Sequence, residues 1–443
     1  MSASQARMTR HADGVDSVRA LQRVLYRCAK SDPDRRFHAL YCHVVRDDVL
    51  WRAWHDVRSN RGAPGVDDIS IDDVERLGVG EYLHGIAADL RAGCYRPAVL
   101  RRVEIPKSEP GKTRPLSIPT VRDRIVMTAA KLVLEPIFEA QFLPVSHGFR
   151  PGRSPLGACE AIRAEVYRGR TWVFDTDVAD CFGSLDRRAV MSQVERRVSD
   201  HQILRLIRAW LKIGVLDDGV VTDRSTGVPQ GSPISPLLAN AALHLLDEQW
   251  TALARRTGIL IRFADDLVVL AATEKAAHNA SVFVAKVLRR LGLSLHRAKT
   301  RIVNLRAGAG GFDFLGWHHR MVCSWRWHGR WYYHRWPSAR AMRAIRTKVR
   351  QNTGPDKVGR PLAATVAVLN PILRGWNGYF RHGNSSRQLA AVDRYVHMRL
   401  AILSSRKHQQ TGRGWGRRHD PSWLSRLGVY RLSGTTRRVT TYA

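Results

Sequence analysis

Apolar positions along the chain fall into two rhythms that change several times between the first and last residue. From about residue 15 to 60 they recur at three- and four-residue steps, as in "VLWRAWHDVRSN", which predicts helices ending at the glycine-rich turn "RGAPGVDD". From Tyr95 to Arg124 the pattern shortens into strands and turns rich in proline, lysine and arginine, and a helix of about four turns, "RDRIVMTAAKLVLEPIFEAQF", follows. A buried strand is predicted from Trp172 to Asp180, and a β-hairpin near 260–271, where "ILI" and "LVVL" flank "RFADD". After the glycine cluster "AGAGGFDFLGW" comes "SWRWHGRWYYHRWP", whose His-Gly pair predicts a turn between alternating arms. Helices then dominate. In "GNSSRQLAAVDRYVHMRLAIL", Ser385 or Ser386 is placed to cap a helix whose Leu389, Val392, Val396, Leu400 and Leu403 share a face.

The hairpin raises a physical question, because its apolar arms hold two adjacent carboxylates, Asp265 and Asp266. Two such charges about 4 Å apart repel by roughly 4 kcal/mol at an effective dielectric of about 20. A cation must offset that. At a hairpin tip strand alternation breaks, so both carboxylates can converge on one point, and a hard divalent ion with one further Asp would complete the cradle. The stretch "WVFDTDVADCFGSLDR" offers Asp175, Asp177 and Asp180. Asp177, at the end of the apolar strand, is the expected third ligand, with the Val178 carbonyl beside it. "GVPQGSPISPLLAN" reads as a turn opening a helix, with Ser232 at the cap, Pro233 at the first helical position, and Gln230 offered to a ligand.

Composition changes the picture in one direction. The 443 residues include 72 Lys and Arg against 39 Asp and Glu, a net charge of +33, while 44% hydrophobic residues permit a sizeable core. A folded basic protein of this length implies two or three domains or subdomains, and nucleic acid as partner. No apolar run reaches 18 residues and the N-terminus has no signal-peptide core, so no membrane partner and a cytoplasmic, nucleoid- or RNA-associated location in a bacterial cell are expected. The six cysteines are scattered without a C-x-x-C pair and read as reduced thiols.

The ordered set "VPQGSPISPLLAN", "FADD" and the Asp177 strand resembles the palm of a reverse transcriptase. The flanks "RGAPGVD", "RPLSIPTVRDRIV", "LEPIFEAQFLPVSHGFRPGRSP", "LHRAKTRI" and "FDFLGW" narrow the resemblance to the group II intron-encoded type. "LNPILRGWNGYFRHGNSS" resembles its maturase thumb, and the likeness spans roughly residues 20–430.

What the resemblance implies is specific. The fold is expected to be α+β: a right-hand polymerase with fingers and palm, an antiparallel sheet flanked by helices, and an α-helical thumb. The expected divisions are a tail over 1–20, fingers and palm over 21–318, a thumb over 319–405 and a basic nucleic-acid-binding tail over 406–443. The activity is expected to be RNA-directed DNA synthesis at two Mg2+ ions, with Mn2+ as the alternative ion. Asp177, Asp265 and Asp266, with Val178, would hold the metal. Lys107, Arg114, Phe182, Gln230 and Lys299 would contact the incoming nucleotide, with Lys112 a weaker candidate and Lys299 a general acid for the pyrophosphate. Arg374 and Arg381 would reach RNA, while Trp317, Trp325, Trp327, Trp331, Tyr332 and Trp336 are divided between stacking and core packing. Expected partners are structured intron RNA, an RNA template with DNA primer, target DNA and dNTPs; oligomeric state is open. The competing expectations are a splicing cofactor with a dispensable polymerase, and a reverse transcriptase recruited to defence or repair. The chain departs from the family at Phe182-Gly183, where Phe-Asp is common, and at Phe263-Ala264, where Tyr-Ala is commoner. Nothing after Arg406 carries paired Cys and His ligands, which aligns it with the shorter class C members without an endonuclease. No DNA cleavage is therefore expected, with priming from existing 3′ ends.

Overall fold

The computed structural model describes residues 3–106, 113–217, 219–222, 226–327, 329–410 and 418–437. The helices α1 (Ala3–Ser31), α2 (Tyr41–Val44), α3 (Asp47–Ser59), α4 (Ile71–Leu77) and α5 (Val79–Arg91) come first. Strands β1 (Leu100–Pro106) and β2 (Thr113–Ile118), helices α6 (Val121–Glu139) and α7 (Pro155–Tyr167), and strand β3 (Trp172–Asp177) follow. Then come α8 (Cys181–Ser184), α9 (Arg187–Glu195), α10 (His201–Lys212), β4 (Val215–Asp217), β5 (Val220–Thr222) and α11 (Ser235–Gln249). The hairpin strands β6 (Ile259–Phe263) and β7 (Asp266–Ala271) precede α12 (Glu274–Arg289) and β8 (Arg301–Asn304). Strands β9 (Gly311–Phe314), β10 (Trp317–Cys323) and β11 (Trp331–Pro337) lead into α13 (Ala339–Asn352), α14 (Leu362–Phe380) and α15 (Ser386–Lys407). The mixture is α+β, as the resemblance implied.

Two compact units divide these elements. The first comprises Met1–Ala158, Phe174–Ala271 and Lys275–Arg301; the second comprises Cys159–Val173, Ala272–Glu274 and Ile302–Ala443. The last of the breaks between them along the chain falls at 301/302.

In the first unit α6 is the core helix. It has no amphipathic stripe, because it is buried on most sides and packs against α1 and α3. Its one deeply buried carboxylate, Asp123, accepts from the Tyr95 hydroxyl at 2.7 Å, the Thr120 hydroxyl at 2.8 Å and the Ala98 amide at 3.1 Å, which offsets only part of the desolvation, and burial still raises its pKa. Two sheets lie in this part of the chain. One has the order β2-β1-β4-β5, with β1 and β2 antiparallel and a short parallel contact from Leu100 to Val215. The other places β7 between β6 and β3, with β6 and β7 an antiparallel hairpin.

The second unit joins an antiparallel sheet, β11-β10-β9, to a helical core. Leu389, Val392, Val396 and Leu400 of α15 are buried against Ile345 of α13 and Leu369 and Leu373 of α14, the spacing the sequence displays. Ser385 precedes α15 but makes no capping hydrogen bond. Residues 418–437, part of the basic tail expected from 406, pack on this helical core. Leu432 is fully buried in the helical core, the Asp393 carboxylate accepts from the Leu432 and Ser433 amides, and Asn377 donates to Tyr430 and Thr435. Of the aromatic residues divided between stacking and core packing, Trp317 falls to packing: it is completely buried, with its ring centroid 4.9 Å from that of Phe380. No helix among the described residues is long and apolar enough to cross a membrane. All six cysteines are free thiols.

Candidate active site

The hairpin turns tightly. Phe263 pairs with Asp266, so Ala264 and Asp265 form the tip, and Ala264 sits in the left-handed region at φ +58. The Val178 amide donates to the Asp265 carbonyl at 3.1 Å, which ties the tip to the end of β3 and brings Asp177 to the same place. A third segment is tied on: Ala179 donates to Ser294 at 2.9 Å, and His296 donates to the Asp177 carbonyl at 2.9 Å. The turn after His296 then delivers Lys299, whose ammonium pairs with the Asp177 carboxylate. Asp175 points elsewhere and pairs with Arg301 at 2.9 Å, and Asp180 precedes α8 at φ +38.

The electrostatics follow from this crowding. Burial, then the Asp177 and Asp265 carboxylates, push Asp266 up to about 8, and Asp177 is hydrogen-bonded to it. Burial, aided by Asp177 and opposed by Lys299 and Arg262, also raises Asp265. The side chains are not already arranged as a metal cage: among the described residues no group of three or more His, Cys, Asp or Glu is so placed. Lys299 stands on Asp177 where a cation would be held. The donor set nevertheless fits a hard divalent ion, since three carboxylates converging on one place gain most from a cation among them.

Arg262, to which the sequence reading gave no role, anchors the hairpin from below. It is fully buried and bonds both oxygens of the equally buried Asp247, at 2.9 and 2.5 Å. Its remaining donors reach the Asn240 side-chain oxygen at 2.9 Å, the Ser146 hydroxyl at 2.7 Å and the Ala264 carbonyl at 3.2 Å. Asn240 in turn donates to the Gly148 carbonyl at 2.8 Å, and backbone bonds join Arg262 to Val145 and His147. One guanidinium thus holds α11, the 145–148 loop and the hairpin tip together. Gly148 lies so close that a Cβ there would sit 2.3 Å from the Ala264 nitrogen. A sequence signal existed: Arg262 occupies an inward position between Leu260 and the tip, with apolar neighbours on both sides.

On the nucleotide side, the turn at 227–231 is laid across two elements. Val228 donates to the Phe182 carbonyl at 2.7 Å, and Ser117 of β2 donates to the Gln230 carbonyl at 2.7 Å. Phe182 and Gln230, both half-buried, are thereby connected, with the exposed Arg114 farther along β2. Gly231, at φ +114, permits this approach, because a Cβ would lie 2.6 Å from the Ser117 carbonyl. Ser232 does not cap α11: the helix starts at Ser235 with Pro236 in its first turn, and the Ser232 hydroxyl meets the Met127 sulfur instead. At the departure Phe182-Gly183, a Cβ on Gly183 would meet the Asp180 carboxylate at 2.1 Å, so Asp180 fills the space a larger residue would take. Lys107 and Lys112 lie outside the described residues. In the second unit, Arg374 is exposed with its guanidinium 5.4 Å from the Tyr430 ring centroid, whereas Arg381 is half-buried with its Nε enclosed.

Comparison with known proteins bears on these positions. The profile described as reverse transcriptase (RNA-dependent DNA polymerase) matches residues 105–319, and the profile described as group II intron, maturase-specific domain matches 342–421. Protein YkfC of Escherichia coli (strain K12) is 33% identical over 345 residues, 69% of this chain and 88% of that protein. Group II intron-encoded protein LtrA of Lactococcus lactis subsp. cremoris is 36% identical over 217 residues, 48% of this chain but only 35% of LtrA. Nuclear intron maturase 1, mitochondrial, of Arabidopsis thaliana is 38% identical over 94 residues, 21% of this chain and 13% of that protein. Reverse transcriptase domains use divalent metal ions. An RNA-directed DNA polymerase domain followed along one chain by a maturase domain defines a single lineage, and this chain belongs to the group II intron reverse transcriptase and maturase family.

Proposed function

We propose that Asp177, Asp265 and Asp266, with the Val178 carbonyl, hold two Mg2+ ions and that DNA is synthesised there on an RNA template. The observation that carries this is the backbone tie from Val178 to Asp265, which makes the two carboxylate-bearing segments one site. Bound there, the ions would supply charge neutralisation at the attacking 3′-oxygen and the leaving pyrophosphate. The protein's own groups do the rest. Arg114 binds the triphosphate, bidentately where geometry permits, with Lys107 as a second cation. Phe182 lies under the sugar and disfavours a 2′-hydroxyl, and Gln230 positions the template-nucleotide pair. Lys299 leaves Asp177 as cations enter and donates a proton to the departing pyrophosphate.

Arg374 and Arg381 of the helical unit contact structured intron RNA through phosphates, and the same protein assists splicing and copies the intron at a DNA target. The divisions proposed for this work are fingers and palm to about 318 and a thumb beyond it, which now includes the packed residues 418–437. The test is primer extension by the purified protein on an RNA template with Mg2+ and dNTPs. The native chain is expected to make cDNA, and the Asp265→Ala/Asp266→Ala variant to make none while still binding structured RNA. Equal extension by both would refute the assignment.

A further inference from the structure

The β10–β11 hairpin contains no Asp or Glu over 317–337 but carries Arg320, Arg326, Arg330 and Arg335. Its two ends differ in physical character. At the base, Trp317 and Tyr333 are buried and do the packing. At the tip, Trp325 is 86% exposed and Trp327 55%, the former the most exposed large hydrophobic residue among those described.

Exposure of this kind is costly unless something covers it, because an indole has one of the largest apolar surfaces of any side chain. Nor is the tip loosely held. Ser324 donates to the Arg330 carbonyl at 2.8 Å, Arg330 donates to the Trp327 carbonyl at 3.1 Å, and the Trp327 amide donates to the Ser324 hydroxyl at 3.0 Å. The guanidinium carbons of Arg330 and Arg326 lie 5.6 and 5.9 Å from the Trp327 ring centroid. Two exposed indoles are therefore presented on a braced turn, Trp325 largely open and Trp327 with two guanidiniums over its ring. A chain of net charge +33 repels a second copy of itself, and an acid-free tip favours a polyanion. Among polyanions, a paired duplex hides its base faces within the stack, whereas an unpaired strand offers both base faces and phosphates.

We propose that the tip of this hairpin, with Trp325 and Trp327 flanked by Arg326 and Arg330, is a stacking site for an unpaired segment of RNA. The inference rests on the reading of this chain as an RNA-binding polymerase and adds where single-stranded bases are held.

The experiment measures the binding of the full-length protein to a single-stranded RNA oligomer. The comparisons are a blunt RNA duplex, a DNA oligomer of the same sequence, and phosphatidylserine-containing vesicles. The Trp325→Ala/Trp327→Ala variant should lose about tenfold or more in affinity for single-stranded RNA, within the range that base stacking supplies. Its duplex affinity should stay unchanged, and Trp325→Phe/Trp327→Phe should restore most of the loss. An equal loss for duplex and single strand, or none for either, overturns the proposal. So does a Trp-dependent affinity for DNA as strong as for RNA, or a Trp-dependence confined to vesicles. Primer extension by the native protein separates the two readings. Extension without Trp-dependent RNA binding sinks only this inference, and Trp-dependent RNA binding without extension sinks only the polymerase assignment.

Discussion

Arg262→Met is the perturbation whose consequence the structure defines most sharply. Methionine approximates the apolar length of arginine but removes five hydrogen bonds, two of them to Asp247. Both partners of the ion pair are fully buried, so the Asp247 carboxylate would be left without its cation in the core. Breaking a buried pair from one side costs about 3–5 kcal/mol, which corresponds to a fall in Tm on the order of 5–10 °C for a domain of this size. The pH dependence gives the sign. In the native protein burial pushes Asp247 up, but Arg262, with a smaller contribution from His244, more than reverses it, so the carboxyl lies below its ordinary range. That contribution is present above the ordinary carboxylate pKa and is lost as pH falls through the folded value. In Arg262→Met burial is no longer balanced by the guanidinium and raises the pKa, so the deficit is full only above that raised value and shrinks as pH falls from it toward the native, lowered one. Thermal melts at a series of pH values should therefore show the two proteins converging in acid, with primer extension by the variant reduced because the Ala264 tip loses its support. Arg262→Met/Asp247→Leu should recover much of the lost stability, since it leaves no unpaired charge. A single variant costing less than about 1 kcal/mol, or a double variant no more stable than the single, would refute this account of the hairpin.

Three further outcomes follow from the same geometry. With Asp266 pushed up to about 8, the metal-free protein should lose stability as pH rises from about 4 to 8, and added Mg2+ should restore it; melts with and without Mg2+ that track each other across this window would contradict that. Lys299→Ala frees Asp177, so the Mg2+ concentration for half-maximal primer extension should fall while kcat drops; an increased Mg2+ requirement would count against Lys299 as the competitor of the ions. Gly148→Ala should abolish most extension while leaving RNA binding by the second unit intact, because the new Cβ meets backbone at Ala264 that cannot swing aside. The readout there is the ratio of activity to RNA affinity, and a proportionate loss of both would point to general misfolding.

Much of this protein was written in local pattern. The arms around Asp265 and Asp266, the core helix at 121–139 and the buried face of α15 all rest on period and turn chemistry, which neighbours in sequence impose on one another. The choice of Asp177 over Asp175 and Asp180 also came from local pattern, its place at the end of the apolar strand, and the motifs added the polymerase lineage. Tertiary structure decided what depended on partners far away in the chain. Composition marks Arg262 and Lys299 alike as basic residues, yet one is sealed in the core against Asp247 and the other stands half exposed on Asp177. Trp317 and Trp325 share an aromatic, basic stretch, yet only contact with Phe380 makes the first a core residue while the second remains open. The start of α11 slipped from Ser232 to Ser235 because the 227–231 turn is held by Phe182 and Ser117. The physical reason is common to all three. A charge, an indole or a serine hydroxyl takes its role from the groups that desolvate or pair with it, and those arrive only when distant segments fold together.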